Sequence, residues 1–303
     1  MDLYLLGADA GLPTMKNFIK NVPSVQSAYH RNPVNSVLTR ALKYALAHRE
    51  ENIETLLEKA VNSPVFFDLI WTFGITVNYY SRQFLDRCKT DGEIGWYEDF
   101  TRRIATTGAR VITLNYDLVL EEVLWREGYR EDYRLTFHEV HPAPELTPAG
   151  PAVQVLKLHG SISWLWCINC GYTVNRCRHI LTAVYTETPC PRCSCRLVPL
   201  LIPPTFRKAL SFGPILHRLW EQADILINRA ERIVVGGLSL AERDADFRER
   251  FLEKVYENKR LKELVLINRD PATCREICRI LPALIPCKIY RGFAQFCLKN
   301  NPE

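Results

Sequence analysis

Two runs of apolar residues that stop abruptly in polar, chemically capable side chains constrain this chain more than any other feature. They are Val111-Ile-Thr-Leu-Asn-Tyr-Asp117 and Val155-Leu-Lys-Leu-His-Gly-Ser161. Runs that are continuous and do not alternate belong to strands buried on both faces, the condition of a parallel sheet covered by helices. In such an open α/β sheet, ligands sit just beyond the carboxyl ends of the strands. Asn115, Asp117, His159 and Ser161 are therefore the first candidates for a functional site, with Thr113 leading into the first group.

Other runs behave alike. Leu3-Tyr-Leu-Leu6 enters Gly7-Ala8, Arg232-Ile-Val-Val235 enters Gly236-Gly-Leu-Ser239, and Leu264-Val-Leu-Ile267 enters Asn268-Arg-Asp270-Pro271. Asp270 as N-cap with Pro271 at the first helical position predicts a helix start there, and Cys287-Lys-Ile-Tyr290 reads as a last short strand. Between strands, apolar residues recur at helical spacing, as in Leu216, Leu219, Trp220, Ala223, Ile227 and Ala230. The expected fold class is α/β, a Rossmann-like parallel sheet with helices on both faces, plus two additions. Residues 28–108 read as a mainly helical insertion, from Val37, Leu38, Ala41, Leu42 and Ala45 and then Ile53, Leu56, Leu57 and Ala60. Residues 164–204 read as a zinc-ribbon module. The sheet domain then comprises residues 1–27, 109–163 and 205–303.

The ribbon rests on Cys167-Ile-Asn-Cys170 and Cys190-Pro-Arg-Cys193, two C-x-x-C pairs with 19 residues (171–189) between them. Each such turn aims two thiolates at one tetrahedral ion, so Cys167, Cys170, Cys190 and Cys193 are the expected ligands of a structural Zn2+. Cys177 and Cys195 are substitutes, because Cys193-Ser-Cys195 leaves the second knuckle open. Four thiolates close the coordination shell and leave no position for substrate. The chain has 11 cysteines; no basic-then-apolar leader precedes Asp2-Leu-Tyr-Leu-Leu6, so thiols and metal are expected in place of disulfides, in a cytoplasmic protein. No apolar stretch is long enough to span a bilayer. The balance of 39 Lys+Arg against 34 Asp+Glu, a net +5, comes without a clustered basic run and gives no support to nucleic-acid binding.

Each polar strand end also has an ordinary structural explanation. His159, with a free imidazole pKa near ~6.5, can serve as a general base or merely cap a strand. Asn115 can orient a water or a ribose hydroxyl, or fill a turn. Asp117 can accept ribose hydroxyls, or cap the next helix. Gly7 and Gly11 alone do not make the G-x-G-x-x-G fingerprint. With that end set aside, the four others, at Asn115, His159, Gly236 and Asn268, taken jointly point to a nucleotide crevice.

Thr113-Leu-Asn115-Tyr-Asp117, Leu158-His159-Gly160-Ser161, the two cysteine pairs, Gly236-Gly-Leu-Ser239 and Ile267-Asn268 occur in an order and approximate spacing that resemble the sirtuin superfamily. Asn52-Ile-Glu54, Leu201-Ile-Pro-Pro-Thr205 and the 238–244 stretch are similar to bacterial SIR2-like domain proteins in particular. The resemblance implies an NAD-consuming enzyme in which His159 is the catalytic base, Asn115 positions water or ribose, and Asp117 assists. It also implies NAD contacts from Gly7, Ala8, Thr113, Asn115, Asp117, Ser161, Gly236, Ser239 and Asn268.

Two departures shape the expectation. Sirtuin-type proteins usually carry Gly-Ala-Gly-x-Ser in the first loop, whereas here Gly7-Ala8 runs into Asp9-Ala-Gly11-Leu-Pro13, shorter by about four residues of a phosphate-cradling turn. Where protein deacylases pair a strand with substrate peptide, this chain has Pro203-Pro204, which lack the N–H groups such pairing needs. Hydrolysis of NAD to nicotinamide and ADP-ribose is accordingly the first expectation, with a bacterial antiphage role by resemblance. The alternatives are an NAD-dependent protein deacylase and an inactive NAD or ADP-ribose sensor or interaction module. Free NAD consumption would be toxic, so some restraint is expected, and a protein partner or activator is a candidate partner beside NAD; the oligomeric state is not legible.

Overall fold

A computed structural model describes residues 1–6, 18–50, 52–90, 94–140, 148–176, 188–202, 213–238, 245–281 and 285–300. Seven strands form one parallel sheet: β1 (Asp2–Leu6), β2 (Arg110–Thr113), β3 (Arg130–Asp132), β5 (Ala152–Lys157), β9 (Arg232–Gly236), β10 (Glu263–Ile267) and β11 (Cys287–Tyr290), in the order β11-β10-β9-β1-β2-β5-β3. The last strand has the bounds read from the sequence. In β2, β9 and β10 every residue after the first is buried, so both faces are covered, as unbroken apolar runs require.

The register aligns the strand ends. Leu6 lies opposite Thr113 and Gly236, Thr113 opposite Lys157, and Gly236 opposite Ile267. Residues 115, 159, 237 and 268 therefore all follow one edge of the sheet. The chain leaves β1 towards β2 on one side and later returns to β9 on the other, which makes the β1/β9 boundary the topological switch point where such sheets bind ligands.

The helical region comprises α1 (Phe18–Ala28), α2 (Val34–His48), α3 (Ile53–Ala60), α4 (Phe66–Thr90) and α5 (Ile94–Thr106). Asn52, singled out in the sequence, caps α3 by accepting from Glu54 N at 2.9 Å. Residues 68–78 of α4 are buried on every side of the helix, the mark of a central helix and not of a surface lid. Even its Asp68 is buried, held by the Arg40 guanidinium through two bonds of 2.7 and 2.9 Å.

A second sheet, β4-β7-β6-β8, comprises β4 (Glu139–Val140), β6 (Gly160–Cys167), β7 (Thr173–Asn175) and β8 (Leu197–Leu201). Its apolar residues Ile162, Leu165, Val174, Leu197 and Leu201 share a core with α1–α4. The seven-stranded sheet forms a separate core with α5, α6 (Val119–Arg126), α7 (Gly213–Arg229), α8 (Ala245–Glu257), α9 (Pro271–Ile280) and α10 (Phe293–Asn300). Tyr116 and Leu118 belong to the first core, whereas Leu114, Leu120 and Leu158 belong to the second. The segment carrying Asn115 and Asp117 thus runs along the seam between two cores, a usual place for a ligand cleft. Among the described residues no helix is long and apolar enough to cross a membrane.

Candidate functional site

The turn after β2 is built by its own backbone. Thr113 Oγ1 accepts from Asn115 N at 3.0 Å, and Asp117 Oδ1 accepts from Val119 N at 3.0 Å, which starts α6. Tyr116 points inward, its hydroxyl donating to Ile202 O at 2.5 Å, and its carbonyl accepts from Ile162 N at 3.0 Å. The turn after β5 is tied to it, since Leu158 N donates to Thr113 O at 3.0 Å. The His159 ring lies 5.6 Å from the Tyr116 ring and is 3 % exposed. The two strand ends nominated by sequence are therefore adjacent in space.

Gly160 owes its place to backbone, not to room for a ligand. Its φ is +82°, and a Cβ there would stand 2.0 Å from Leu200 O, so no other residue fits. Ser161 is fully buried in β6, and its hydroxyl meets Ser163 Oγ at 3.0 Å.

Asp117 is 5 % exposed, and its Oδ2 has no hydrogen-bond partner among the described residues. Burial pushes its carboxyl above the usual range, opposed by the Lys157 ammonium. That lysine was missed as a site residue. Lys157, the last residue of β5, is 1 % exposed; its Nζ donates to Asp117 O and to Glu121 Oε1, the latter also accepting from Tyr133 Oη at 3.1 Å. A lysine inside the run Val155-Leu-Lys-Leu158 is the signal that could have found it, because a buried lysine needs a paired carboxylate.

On the other half of the edge, Gly237 adopts φ +67° and its N donates to Ile267 O at 3.0 Å. Asn268 links two loops: its Nδ2 reaches Leu238 O at 3.4 Å and its Oδ1 accepts from Asp270 N at 2.9 Å. Asp270 then caps α9 by accepting from Ala272 N and Thr273 N, with Pro271 inside the first turn, as the sequence predicted. Gly236 packs under Phe293, whose Cζ would be 2.3 Å from an added Cβ. Gly7, Ala8 and Ser239, and likewise Pro203 and Pro204, lie outside the described residues.

The four sulfurs of Cys167, Cys170, Cys190 and Cys193 all lie within 4.8 Å of one another, with Cys167 Sγ 3.4 Å from Cys193 Sγ and Cys170 Sγ 3.5 Å from Cys190 Sγ. A tetrahedral zinc with Zn–S near ~2.3 Å needs sulfurs about 3.8 Å apart, so this donor set fits zinc. Cys195 is exposed and outside the cluster, and Cys177 lies outside the described residues. A single strand, β6, begins directly after His159 and ends at Cys167. The cysteine cluster and the candidate base thus stand at the two ends of one element.

With this geometry in place, the sequence profile of the SIR2-like domain matches residues 109–198, which hold both strand ends and all four clustered cysteines. That segment of the chain is similar to the SIR2-like domain. Among solved structures, a Sir2 homologue in complex with NAD is similar at 16% identity and a TM-score of 0.50, with 97% of this chain and 85% of that one covered. The SIR2-like fold accordingly extends beyond the matched segment into the whole seven-stranded sheet. Sir2Tm bound to a propionylated peptide aligns at 14% identity and a TM-score of 0.44, over 99% of this chain and 91% of that one. A further structure, from work on the mechanism and regulation of Sir2 enzymes, aligns at 17% identity and a TM-score of 0.36, over 67% of this chain and 64% of that one. No curated protein matches the chain.

Proposed function

We propose that this chain binds NAD across the carboxyl edge of the sheet and hydrolyses it to nicotinamide and ADP-ribose. One juxtaposition carries the reading: the loop 115–117, with a buried Asp117 oxygen that has no partner among the described residues, lies against His159 at the seam of the two cores. A buried carboxylate oxygen without a partner is costly unless a ligand donates to it. The similarity to a Sir2 homologue seen with NAD supports the choice of ligand.

In this reading Asp117 Oδ2 accepts a ribose hydroxyl, Asn115 orients the attacking water, and His159 takes that water's proton as the nicotinamide bond breaks. Positive charge develops on the ribose, so a carboxylate fixed nearby stabilises it. The turns at Gly236 and Asn268, with Gly7, Ala8 and Ser239, form the side for the phosphates and adenosine. Thr113 holds Asn115 in place, and Ser161 braces β6 below His159. Zn2+ at the four cysteines supplies structure, holding the far end of β6.

Water is favoured over an acyl-lysine as acceptor. All five residues of β8 are buried, α4 packs against it, and its central Pro199 lacks an N–H, so this strand is poorly suited to receive a peptide. The deciding experiment incubates purified protein with NAD, with and without an acetylated peptide, and follows nicotinamide. Release without peptide, lost in His159→Ala and Asn115→Ala, is the expected result. Release only with peptide would make it a deacylase, and no release in either case would leave an NAD or ADP-ribose sensor.

A further inference from the structure

Three cysteines outside the metal cluster, Cys274 and Cys278 on α9 and Cys287 at the start of β11, are not used by the proposed reaction. Cys278 Sγ and Cys287 Sγ are 3.0 Å apart, although nine positions separate them in sequence. That is inside the van der Waals contact of two sulfurs and about 1 Å beyond the ~2.05 Å of a disulfide bond. Both thiols sit at element ends: Cys278 is two residues from the end of α9, and Cys287 is the first residue of β11. Ends can shift by the remaining ångström more easily than a helix or strand centre can.

Access differs among the three. Cys287 is exposed and Cys278 half-buried, whereas Cys274, one turn earlier on α9, is fully buried. No metal set forms here: among the described residues only Cys167, Cys170, Cys190 and Cys193 come together as a cluster of ligands. The position is also separate from the candidate site. Cys287 lies opposite Leu264, at the amino end of its strand, and so on the reverse edge of the sheet from residues 115, 159 and 268.

We infer that Cys278 and Cys287 are a redox modification site, forming a reversible disulfide that fastens the edge strand β11 to α9. The oxidant is a hydroperoxide. One thiol is oxidised to a sulfenic acid as the O–O bond breaks, releasing water from hydrogen peroxide. The other sulfur then attacks the sulfenic sulfur, forming S–S and releasing a second water, so that two thiols and one peroxide yield one disulfide and two waters. A dithiol reductant reverses the step. The element it fastens needs support. β11 is an edge strand with β10 as its one neighbour, and its first three residues are exposed. Apart from the ladder, its Lys288 reaches Glu263 Oε1 on β10 at 2.5 Å.

The test treats the zinc-loaded full-length chain with stoichiometric hydrogen peroxide, alkylates free thiols, and maps peptides by mass spectrometry before and after reduction. The expected result is a linked Cys278–Cys287 peptide, Cys274 alkylated only after denaturation, and a melting temperature about 3–6 °C higher than in the reduced protein, as a short closed loop confers. Cys287→Ser and Cys278→Ser should each abolish both the linked peptide and the shift. Zinc content, measured alongside, should stay constant. Absence of a linked peptide, a link through Cys274, or the same thermal shift in either serine variant would overturn the inference.

Discussion

Lys157 Nζ lies 2.8 Å from Glu121 Oε1, and the two side chains are 1 and 7 % exposed. This buried pair joins the end of β5 to α6, and through the Asp117 carbonyl it also holds the turn that presents Asn115 and Asp117. Removing one partner strands a charge in the core, which costs ~3–5 kcal/mol. Lys157→Met should therefore lose about that much in urea unfolding. Adding Glu121→Gln, which keeps an acceptor for Tyr133 Oη, should recover most of it. Equal losses in the single and double variants would show that the two side chains are not coupled.

Asp117 sets stability against function. Burial raises its pKa, so the folded state binds its proton more tightly than the unfolded chain does. Its contribution is favourable below the unfolded pKa and declines as pH rises through the folded one. Asp117→Asn keeps the cap on Val119 N and removes the buried charge. Stability at neutral pH should stay level or rise, while nicotinamide release should fall by about 100-fold or more. A variant that is destabilised but fully active would refute the assigned role.

Glu131 offers a cleaner pH probe. Burial raises its carboxyl to about 7, partly offset by the Trp125 Nε1 hydrogen bond of 2.6 Å. The folded state holds a proton between pH 4.5 and 7 that the unfolded chain releases, so stability should fall over that window as pH rises. Glu131→Gln should flatten the profile there and gain roughly 1–3 kcal/mol at pH 8. Unfolding curves measured at several pH values decide it.

The cysteine cluster should hold one zinc per chain by elemental analysis. Chelation, or Cys167→Ser, should lower the melting temperature by about 10 °C or more, because ligand bonds absent from the unfolded chain stabilise the fold directly. Since β6 begins directly after His159 and ends at Cys167, nicotinamide release should fall with the metal even though zinc takes no part in the reaction. Cys195→Ser, outside the cluster, should change stability by no more than about 0.5 kcal/mol.

Gly160 and Gly236 are constrained by different neighbours. Gly160→Ala meets the Leu200 carbonyl at 2.0 Å with φ +82°, a backbone clash without relief, and should cost more than about 3 kcal/mol. Gly236→Ala meets first the tip of the Phe293 ring, the far end of a side chain. It should cost about 1–3 kcal/mol and be largely restored by Phe293→Leu. Failure of that rescue in thermal unfolding would place the constraint elsewhere.

The sequence alone determined the parallel sheet, the polar strand ends along one edge and the four cysteines that cluster, because each is written in local pattern: unbroken apolar runs, the residues that stop them, and thiols at fixed spacing. It also announced the cap at Asp270, whose partners lie within three residues. What tertiary structure decided depends on partners far apart in the chain. The spacing names Cys193 and keeps Cys195 as a substitute; folding brings Cys193 to Cys167 and leaves Cys195 outside the cluster. That only glycine fits at 160 shows once Leu200 is brought against it. Lys157 reads as an anomaly until Glu121 neutralises it from 36 residues away. The seam along which Asn115 and Asp117 run exists only because α4 and the second sheet build a core of their own. Periodicity reports which face of an element is apolar, and it is silent on which distant face will cover it.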